Sequence, residues 1–159
     1  AAIMNERNNL CDSSLLKSDC QSLNGIIGKI LENCYEIKVM RDPTRGGVIT
    51  TLLEIIDASN KEMIIYENKL PISEEVAEFS GLLGLNPLYL ANEGKVIIVV
   101  SKEDSMEVLN LLRNSQEGRE AAIIGEVIGD GKKNLYLKTV IGAKVKCLPM
   151  KGEQLPRIC

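Results

Sequence analysis

Histidine and tryptophan are absent from this chain of 159 residues, and phenylalanine occurs once. The lack of histidine excludes catalytic arrangements that need an imidazole, such as the Ser-His-Asp and Cys-His types, from this chain alone. A base acting here must therefore be a carboxylate, a lysine, a tyrosine or a thiolate. Because aromatic residues make up only 3% of the chain, isoleucine, leucine and valine must build most of the core.

The chain also lacks an excess of positive charge and a long apolar run. Its net charge is −3, with acidic and basic residues interspersed, whereas nucleic acids and anionic membranes bind a concentrated basic face. No apolar segment approaches the roughly 20 residues that span a bilayer, and the N-terminus carries no signal-peptide pattern. We therefore expect neither nucleic acid nor a membrane as its main partner.

The five cysteines lack the spacing of a zinc site or of a disulfide framework. Their number is odd and no pair has Cys-x-x-Cys spacing, so we expect no metal site built from them and a reducing, cytoplasmic location. By their spacing, Cys34 lies on a buried helical face and Cys147 in an alternating strand, where core packing is the expected role. Cys11 and Cys20 are also interpreted as structural, which leaves the terminal Cys159 for separate treatment.

The periodicity of apolar residues predicts both helices and strands. Helices are predicted at residues 23–34, 47–59, 74–83 and 101–114, and strands at 36–40, 62–67, 95–100, 122–127, 134–138 and 144–148. Ser22 and Ser73 are predicted helix N-caps, and the strand at 95–100 is apolar enough for the centre of a sheet. The mixed order predicts an α+β fold, in which a mixed or antiparallel sheet is covered by helices on one face.

The ends of the chain differ from its middle. The opening Ala1–Met4 reads like the end of a strand already in progress, so we expect a fragment of a longer protein. Residues 1–20 are interpreted as a leading strand and linker, and residues 21–150 as the regular domain. Residues 151–159 are interpreted as a mobile tail, because a glycine and a proline there discourage regular structure.

The segment Asp-Pro-Thr-Arg-Gly-Gly at 42–47 is a first candidate site. Its two glycines open a predicted helix and would let a ligand approach backbone amides, where the helix dipole favours an anion. Arg45 could donate to phosphate oxygens, and Asp42 could orient Arg45 or hold a metal. The alternative is an ordinary strand–helix turn, with Asp42 and Thr44 as cap residues and Arg45 in solvent.

A second polar turn, Asn92-Glu93-Gly94, precedes the apolar strand at 95–100. A partly buried carboxylate at such a strand edge can act as a base or an acid, which makes Glu93 a candidate catalytic residue. The alternative is an ordinary turn in which Glu93 lies in water.

The tail at 151–159 is the third candidate. Fully stretched, its last eight residues reach about 25 Å, so the thiol of Cys159 could visit both a pocket and an outside partner. The terminal carboxylate disfavours the thiolate, and Arg157 partly offsets this. The alternative is a terminus that ends in cysteine by chance. A prenylation signal does not fit, since it places its cysteine four residues from the end.

Four segments, taken in order, resemble the family of the hydrogenase maturation factor HypE. They are Asp-Pro-Thr-Arg-Gly-Gly at 42–47, Leu-Tyr-Leu-Ala-Asn-Glu-Gly-Lys at 88–95, Ala-Ile-Ile-Gly-Glu-Val at 122–127 and Gly-Glu-Gln-Leu-Pro-Arg-Ile-Cys at 152–159. This family is similar to selenophosphate synthetase within the aminoimidazole ribonucleotide synthetase-like superfamily. The resemblance implies that the chain is the C-terminal α+β domain, and that residues 1–20 lead from a missing N-terminal domain that binds ATP and forms dimers.

The resemblance also implies an ATP-dependent carbamoyl dehydration. The carbamoyltransferase HypF would load a carbamoyl group onto the thiol of Cys159, and ATP with Mg²⁺ would activate it, so that loss of phosphate leaves a thiocyanate. The cyanide would pass to iron on a HypC–HypD scaffold during nickel–iron hydrogenase assembly. Glu93 is implied as a catalytic residue, with the role of base. The implied nucleotide-binding residues are Asp42, Thr44, Arg45, Gly46 and Gly47.

Because most family ATP ligands would lie in the missing domain, the isolated chain is expected to be inactive and mainly monomeric, whereas the complete protein is expected to be a homodimer. The alternative function is a non-catalytic interaction domain that presents a modifiable cysteine tail. A purine or selenium synthetase of the same superfamily is disfavoured, because those enzymes have no evident need for Cys159.

Overall fold

The computed structural model describes residues 18–33 and 35–150. The predictions for Cys11, Cys34 and the 151–159 tail with Cys159 fall outside these residues, as does most of the 1–20 segment. The helices are α1 (Asn24–Glu32), α2 (Gly47–Ser59), α3 (Glu74–Leu82) and α4 (Ser105–Arg113), with short 3₁₀ helices at Glu67–Lys69 and Pro87–Tyr89. The strands are β1 (Ile37–Arg41), β2 (Lys61–Tyr66), β3 (Ile97–Val100), β4 (Gly125–Asp130), β5 (Leu135–Lys138) and β6 (Lys144–Lys146).

In the described part of the chain, the strands form two sheets. Strands β1 and β3 pair antiparallel, and the other four form a sheet in the order β4-β2-β5-β6. In this second sheet β2 runs antiparallel to β4 and parallel to β5, and β5 runs antiparallel to β6. The predicted mixed α+β fold is thereby confirmed. Among the described residues β3 pairs with β1 alone, so its central position stays a prediction.

Helix α2 shares one apolar core with residues of both sheets. Its buried residues Ile49, Leu52, Ile55 and Ile56 recur at helical spacing and face inward. They form one cluster with residues of both sheets, namely Met63, Ile65, Leu135 and Ile97. Each such side chain stabilises the fold by about 1.5 to 3 kcal/mol through removal from water.

The predicted helix caps have different outcomes. The hydroxyl oxygen of Ser73 accepts a hydrogen bond from the amide of Val76 at 3.4 Å and caps α3, as predicted. The prediction for Ser22 is wrong, because the N-cap of α1 is Leu23. The Ser22 hydroxyl instead donates to Oδ1 of Asn24 at 2.6 Å.

Strand β4 begins later than its apolar residues indicate. The ladder with β2 runs from the Ile65–Gly125 pair to the Lys61–Asp130 pair, so the position of the partner strand, and not hydropathy, sets the limits of β4.

None of the four described helices combines the length and the hydropathy that crossing a bilayer requires.

Candidate functional site

The two predicted polar segments, at 42–47 and 92–95, lie side by side. The backbone amide of Asn92 donates to the carbonyl oxygen of Pro43 at 3.1 Å. Pro43 follows β1 and is fully buried, while the turn leads into β3, the strand that pairs with β1. The antiparallel pairing of β1 and β3 therefore brings the end of one strand to the start of the other.

A cleft of about 330 Å³ opens beside this junction. Its walls come from the segment before α1, from α1 itself, from the end of β1 and from the turn before β3. Asp42 and Glu93 both line it, so the structure brings one residue from each predicted segment to a common surface. The lining residues are Gln21, Leu23, Ile27, Met40, Arg41, Asp42, Glu93, Lys95 and Val96.

Glu93 is exposed at the cleft, and its backbone is held by a hydrogen bond to Asp19. Its amide donates to Oδ2 of Asp19 at 3.3 Å. The ammonium group of Lys95 donates to the same oxygen and to Oδ1 of Asn92, each at 2.9 Å. The turn is thus fastened by a carboxylate that lies 74 residues earlier in the chain.

Asp19 is ionised in this arrangement at neutral pH. Burial alone would raise the pKa of its carboxyl group, but the hydrogen bond and the charge of Lys95, together with hydrogen bonds from backbone amides, outweigh that effect. The pKa of Asp19 therefore lies below its ordinary value, as expected for a carboxylate beside an ammonium group.

Gln21 adds a second contact from the same segment. Its side-chain amide donates to the carbonyl oxygen of Gly94 at 3.0 Å. A Cβ atom at Gly94 would lie 1.7 Å from the carbonyl oxygen of Asp19, so only glycine permits this approach. Sequence reasoning missed Asp19 and Gln21 as site residues, because no local pattern links segments so far apart. It also missed Lys95, although this residue stands in the predicted segment, because its contact with Asp19 is not visible in the sequence.

Asp42 is exposed, and its cationic neighbour is Arg41 rather than Arg45. Its Oδ1 atom lies 4.0 Å from Nε of Arg41, while Nη2 of Arg41 contacts Oε2 of Glu54 at 2.8 Å. The guanidinium of Arg45 is exposed and has no ion-pair partner among residues 18–33 and 35–150. In the same ranges, no group of three or more potential metal-binding side chains comes together.

The glycine pair at the start of α2 is required by the backbone conformation and, at Gly47, by close packing. Gly46 and Gly47 both adopt positive φ angles, of 77° and 64°. A Cβ atom on Gly47 would lie 2.6 Å from the carbonyl oxygen of Leu88 and 2.5 Å from that of Leu90. This side of Gly47 is therefore occupied by the protein's own backbone, whereas Thr44 and Arg45 stay at the surface of the loop.

A second, more apolar cleft of about 290 Å³ lies at the end of the four-stranded sheet and contains Cys147. Burial raises the pKa of the Cys147 thiol, which makes it a poor nucleophile, and its place in the core agrees with the structural role expected for it. The hydroxyl of Tyr89 closes one side by donating to the carbonyl oxygen of Leu148 at 2.7 Å. Cys20, by contrast, is exposed.

This fold and these motifs define the class of protein. The family described as AIR synthase related protein, C-terminal domain, matches residues 1–138. The chain belongs to this family.

Within that class, the chain is similar to HypE, as its motifs indicated. It is 39% identical over 158 residues to carbamoyl dehydratase HypE of Cupriavidus necator, covering 99% of this chain and 45% of the relative. A crystal structure of HypE in complex with ATP has a TM-score of 0.90 and 37% identity, with 99% of this chain and 48% of the other covered. A HypE–HypF complex gives a TM-score of 0.87 at 37% identity, with 93% and 48% covered. The chain thus spans about half the length of the relatives it matches.

Proposed function

We propose that this chain is the C-terminal part of an ATP-dependent carbamoyl dehydratase that acts in hydrogenase maturation. The observation that carries this proposal is the similarity over 99% of the chain to a relative named carbamoyl dehydratase, together with the meeting of Asp42 and Glu93 at one cleft. A related structure in complex with ATP supports the nucleotide as co-substrate. In this proposal residues 1–20 lead from an N-terminal ATP-binding domain, and residues 151–159 form the carrier tail.

The proposed reaction removes the elements of water from a carbamoyl group on the sulfur of Cys159. The amide oxygen is a poor leaving group, so it first attacks the γ-phosphate of ATP and releases ADP. One N–H proton passes to solvent as the oxygen is phosphorylated. A base then takes the second N–H proton as the C–O bond breaks, which gives a thiocyanate and inorganic phosphate. The oxygen atom of the carbamoyl group ends in the phosphate, so no free water forms and no oxidant is needed.

Glu93 is proposed as the base that takes a proton from the carbamoyl nitrogen. The chain has no histidine, and the Glu93 carboxylate is exposed at a cleft that a tethered substrate could enter. Lys95 lies at the same cleft, but its ammonium group is engaged by Asp19 and Asn92. A carboxylate within hydrogen-bond reach of the N–H group would meet the geometric requirement for a general base.

The nucleotide contacts are proposed for Asp42, Thr44, Arg45, Gly46 and Gly47. Arg45 is suited to phosphate oxygens because its guanidinium is exposed beside the start of α2 and donates in a fork geometry. Gly47 contributes by setting the path of the loop, since one of its faces packs on the backbone of residues 88–90. Mg²⁺ and the remaining ATP ligands are assigned to the N-terminal domain.

The proposed partners follow from the same relatives. HypF is the proposed carbamoyl donor, supported by the related HypE–HypF complex, and a HypC–HypD complex is the proposed cyanide acceptor. The complete protein is proposed to be a cytoplasmic homodimer. The same complex also supports a second candidate function for the isolated chain, that of an interaction domain that presents the Cys159 tail.

The decisive experiment follows the tail by mass spectrometry in the complete protein, incubated with HypF, carbamoyl phosphate and ATP. We expect carbamoyl and then cyano adducts on Cys159, no adduct in Cys159→Ala, and a persistent carbamoyl adduct in Glu93→Gln. Glu78→Gln, an exposed glutamate on α3, is the matched control and should behave as the wild type. The absence of both adducts from the competent wild-type protein would sink the proposal.

The isolated chain provides a second measurement. We expect it to be mainly monomeric by light scattering and to show no turnover of ATP, because the proposed nucleotide site is incomplete. ATP hydrolysis by the purified chain, or a stable dimer, would contradict this part of the proposal.

A further inference from the structure

We propose that Asp19 is a positioning residue for Glu93, so that the segment before α1 sets the geometry of the proposed base. This inference rests on the proposed function for the chemistry of Glu93, while the contacts themselves stand on the structure. Asp19 contributes no atom to the reaction in this proposal. It acts through the backbone of the turn that carries Glu93.

The turn at 92–95 is fastened on two opposite sides. On one side the amide of Asn92 donates to the carbonyl oxygen of Pro43. On the other, Asp19 accepts from the amide of Glu93 and from Lys95, and Gln21 donates to the carbonyl oxygen of Gly94. The Glu93 side chain makes no hydrogen bond within the described ranges 18–33 and 35–150. Its place at the cleft therefore depends on where the backbone of the turn is held.

The tightness of the contact makes the turn sensitive to this segment. The missing Cβ of Gly94 leaves just enough room for the backbone of Asp19, so the two segments are in direct contact and cannot shift independently. Catalytic groups must be held to within about half an ångström of their productive position, and a displacement of about 1 Å can cost on the order of 100-fold in rate.

Asp19 also controls where the nearest positive charge lies. The Lys95 ammonium group is two residues from Glu93 and lines the same cleft, yet it is directed to Asp19 and Asn92 at 2.9 Å. Without the Asp19 carboxylate, the ammonium group would lose its ion-pair partner. Glu93 and Asp42 are the carboxylates that line the cleft beside it. An ion pair between Lys95 and Glu93 would occupy the proposed base. Asp19 thus keeps the turn in place and the cation away.

The test compares Asp19→Ala and Asp19→Asn in the complete protein, with the rate of conversion of carbamoyl to cyano adduct as the main readout. We expect Asp19→Ala to slow this step by on the order of tenfold to 100-fold, with ATP affinity by calorimetry changed less than about twofold. Asp19→Asn should recover part of the rate, because its amide oxygen can still accept from Glu93 and Lys95. A merely structural role would lower the melting temperature, nucleotide affinity and rate together, without this split.

The matched control is Asp57→Ala, which removes another exposed aspartate–lysine contact, with Lys133 at 2.8 Å, away from the cleft. It should retain the wild-type rate. Gln21→Ala provides a second variant in case Asp19→Ala does not fold, and it should also slow the conversion. A wild-type rate in folded Asp19→Ala would overturn the inference. If Asp19→Ala does not fold, a wild-type rate in Gln21→Ala would overturn it.

Two further results separate this inference from the proposed function. If the wild-type complete protein forms no cyano adduct, the function fails, and hydrogen exchange of the Glu93 amide then decides the positioning role alone. That amide should exchange faster in Asp19→Ala than in the wild type and in Asp57→Ala. An unchanged exchange rate would overturn the positioning inference, whatever the activity.

Discussion

Two glycines with nearly the same backbone conformation have very different surroundings in this chain. Gly47 opens α2 with a φ angle of 64°, and Gly84 follows α3 with a φ angle of 66°. A Cβ atom on Gly47 would press on backbone carbonyl groups of residues 88–90, whereas nothing lies within 4 Å of a Cβ atom on Gly84. The pair therefore separates the cost of the conformation from the cost of packing.

We expect Gly47→Ala to lower the free energy of unfolding by about 3 to 4 kcal/mol, because backbone strain and overpacking add. Gly84→Ala should cost only about 1 to 2 kcal/mol, which is the strain of the left-handed conformation. Urea denaturation of both variants measures the difference. Equal costs would contradict the claim that Gly47 is required by packing against the 88–90 segment.

The residues of the site differ in how far they can be predicted. Asp42 and Glu93 are recognisable because each stands in a local pattern, a glycine-paired turn and a polar turn before an apolar strand. Asp19 is not recognisable, since its contacts with Glu93 and Lys95 span 74 and 76 residues and no local pattern connects positions so far apart. Local patterns point to the candidate residues, whereas long-range contacts decide which other residues hold them in place.

At the scale of elements, α1 and α3 begin in different ways, although a serine stands near the start of each. Ser73 has an extended backbone and its hydroxyl accepts from Val76, while Glu74 and Glu75 occupy the first turn of α3, where the helix dipole favours them. Ser22 lies one residue before the actual N-cap of α1 and its hydroxyl bonds to Asn24 instead. Of the two serines, Ser73 alone accepts a hydrogen bond from a free amide of its helix.

We expect Ser73→Ala to destabilise the chain by about 0.5 to 1 kcal/mol, at the lower end of N-cap effects because the hydrogen bond is long at 3.4 Å. Ser22→Ala should change the free energy of unfolding by less than about 0.5 kcal/mol, as an ordinary surface substitution does. Chemical denaturation measures both. A larger loss for Ser22→Ala than for Ser73→Ala would reverse the assignment of the caps.

Helix α2 is predicted more closely than strand β4, for a physical reason. The apolar spacing of α2 is a property of its own sequence, and the helix ends at Ser59 as predicted. The limits of β4 depend on β2, its hydrogen-bonded partner, and they shift to 125–130 although the apolar residues suggest 122–127. Periodicity therefore predicts the type of element, while the partner strand sets its register and its ends.

At the scale of the whole molecule, α2 connects a two-stranded and a four-stranded sheet through one apolar cluster. Leu135 in β5 is completely buried within this cluster, and Cys147 lies in the same cluster beyond β6. Ile97 belongs to the other sheet and to the same cluster. A shared core of this kind implies that the two sheets unfold together, since neither can lose its contacts with α2 without exposing the other.

Leu135→Ala tests this shared core. We expect a loss of about 2 to 5 kcal/mol in the free energy of unfolding, the range for a buried leucine replaced by alanine. Leu82→Ala, at a side chain that is 85% exposed, should change it by less than about 0.5 kcal/mol.

Unfolding is followed by far-ultraviolet circular dichroism and by the reactivity of the Cys147 thiol, mapped to its own peptide. Burial protects this thiol and raises its pKa, so it should react only when the core opens. The transitions followed by circular dichroism and by Cys147 reactivity should coincide, in the wild type and in Leu135→Ala, for one cooperative core. If these two transitions separate, the sheets unfold independently. The proposed base, on the turn before β3, would then lie on a unit whose stability is independent of Leu135.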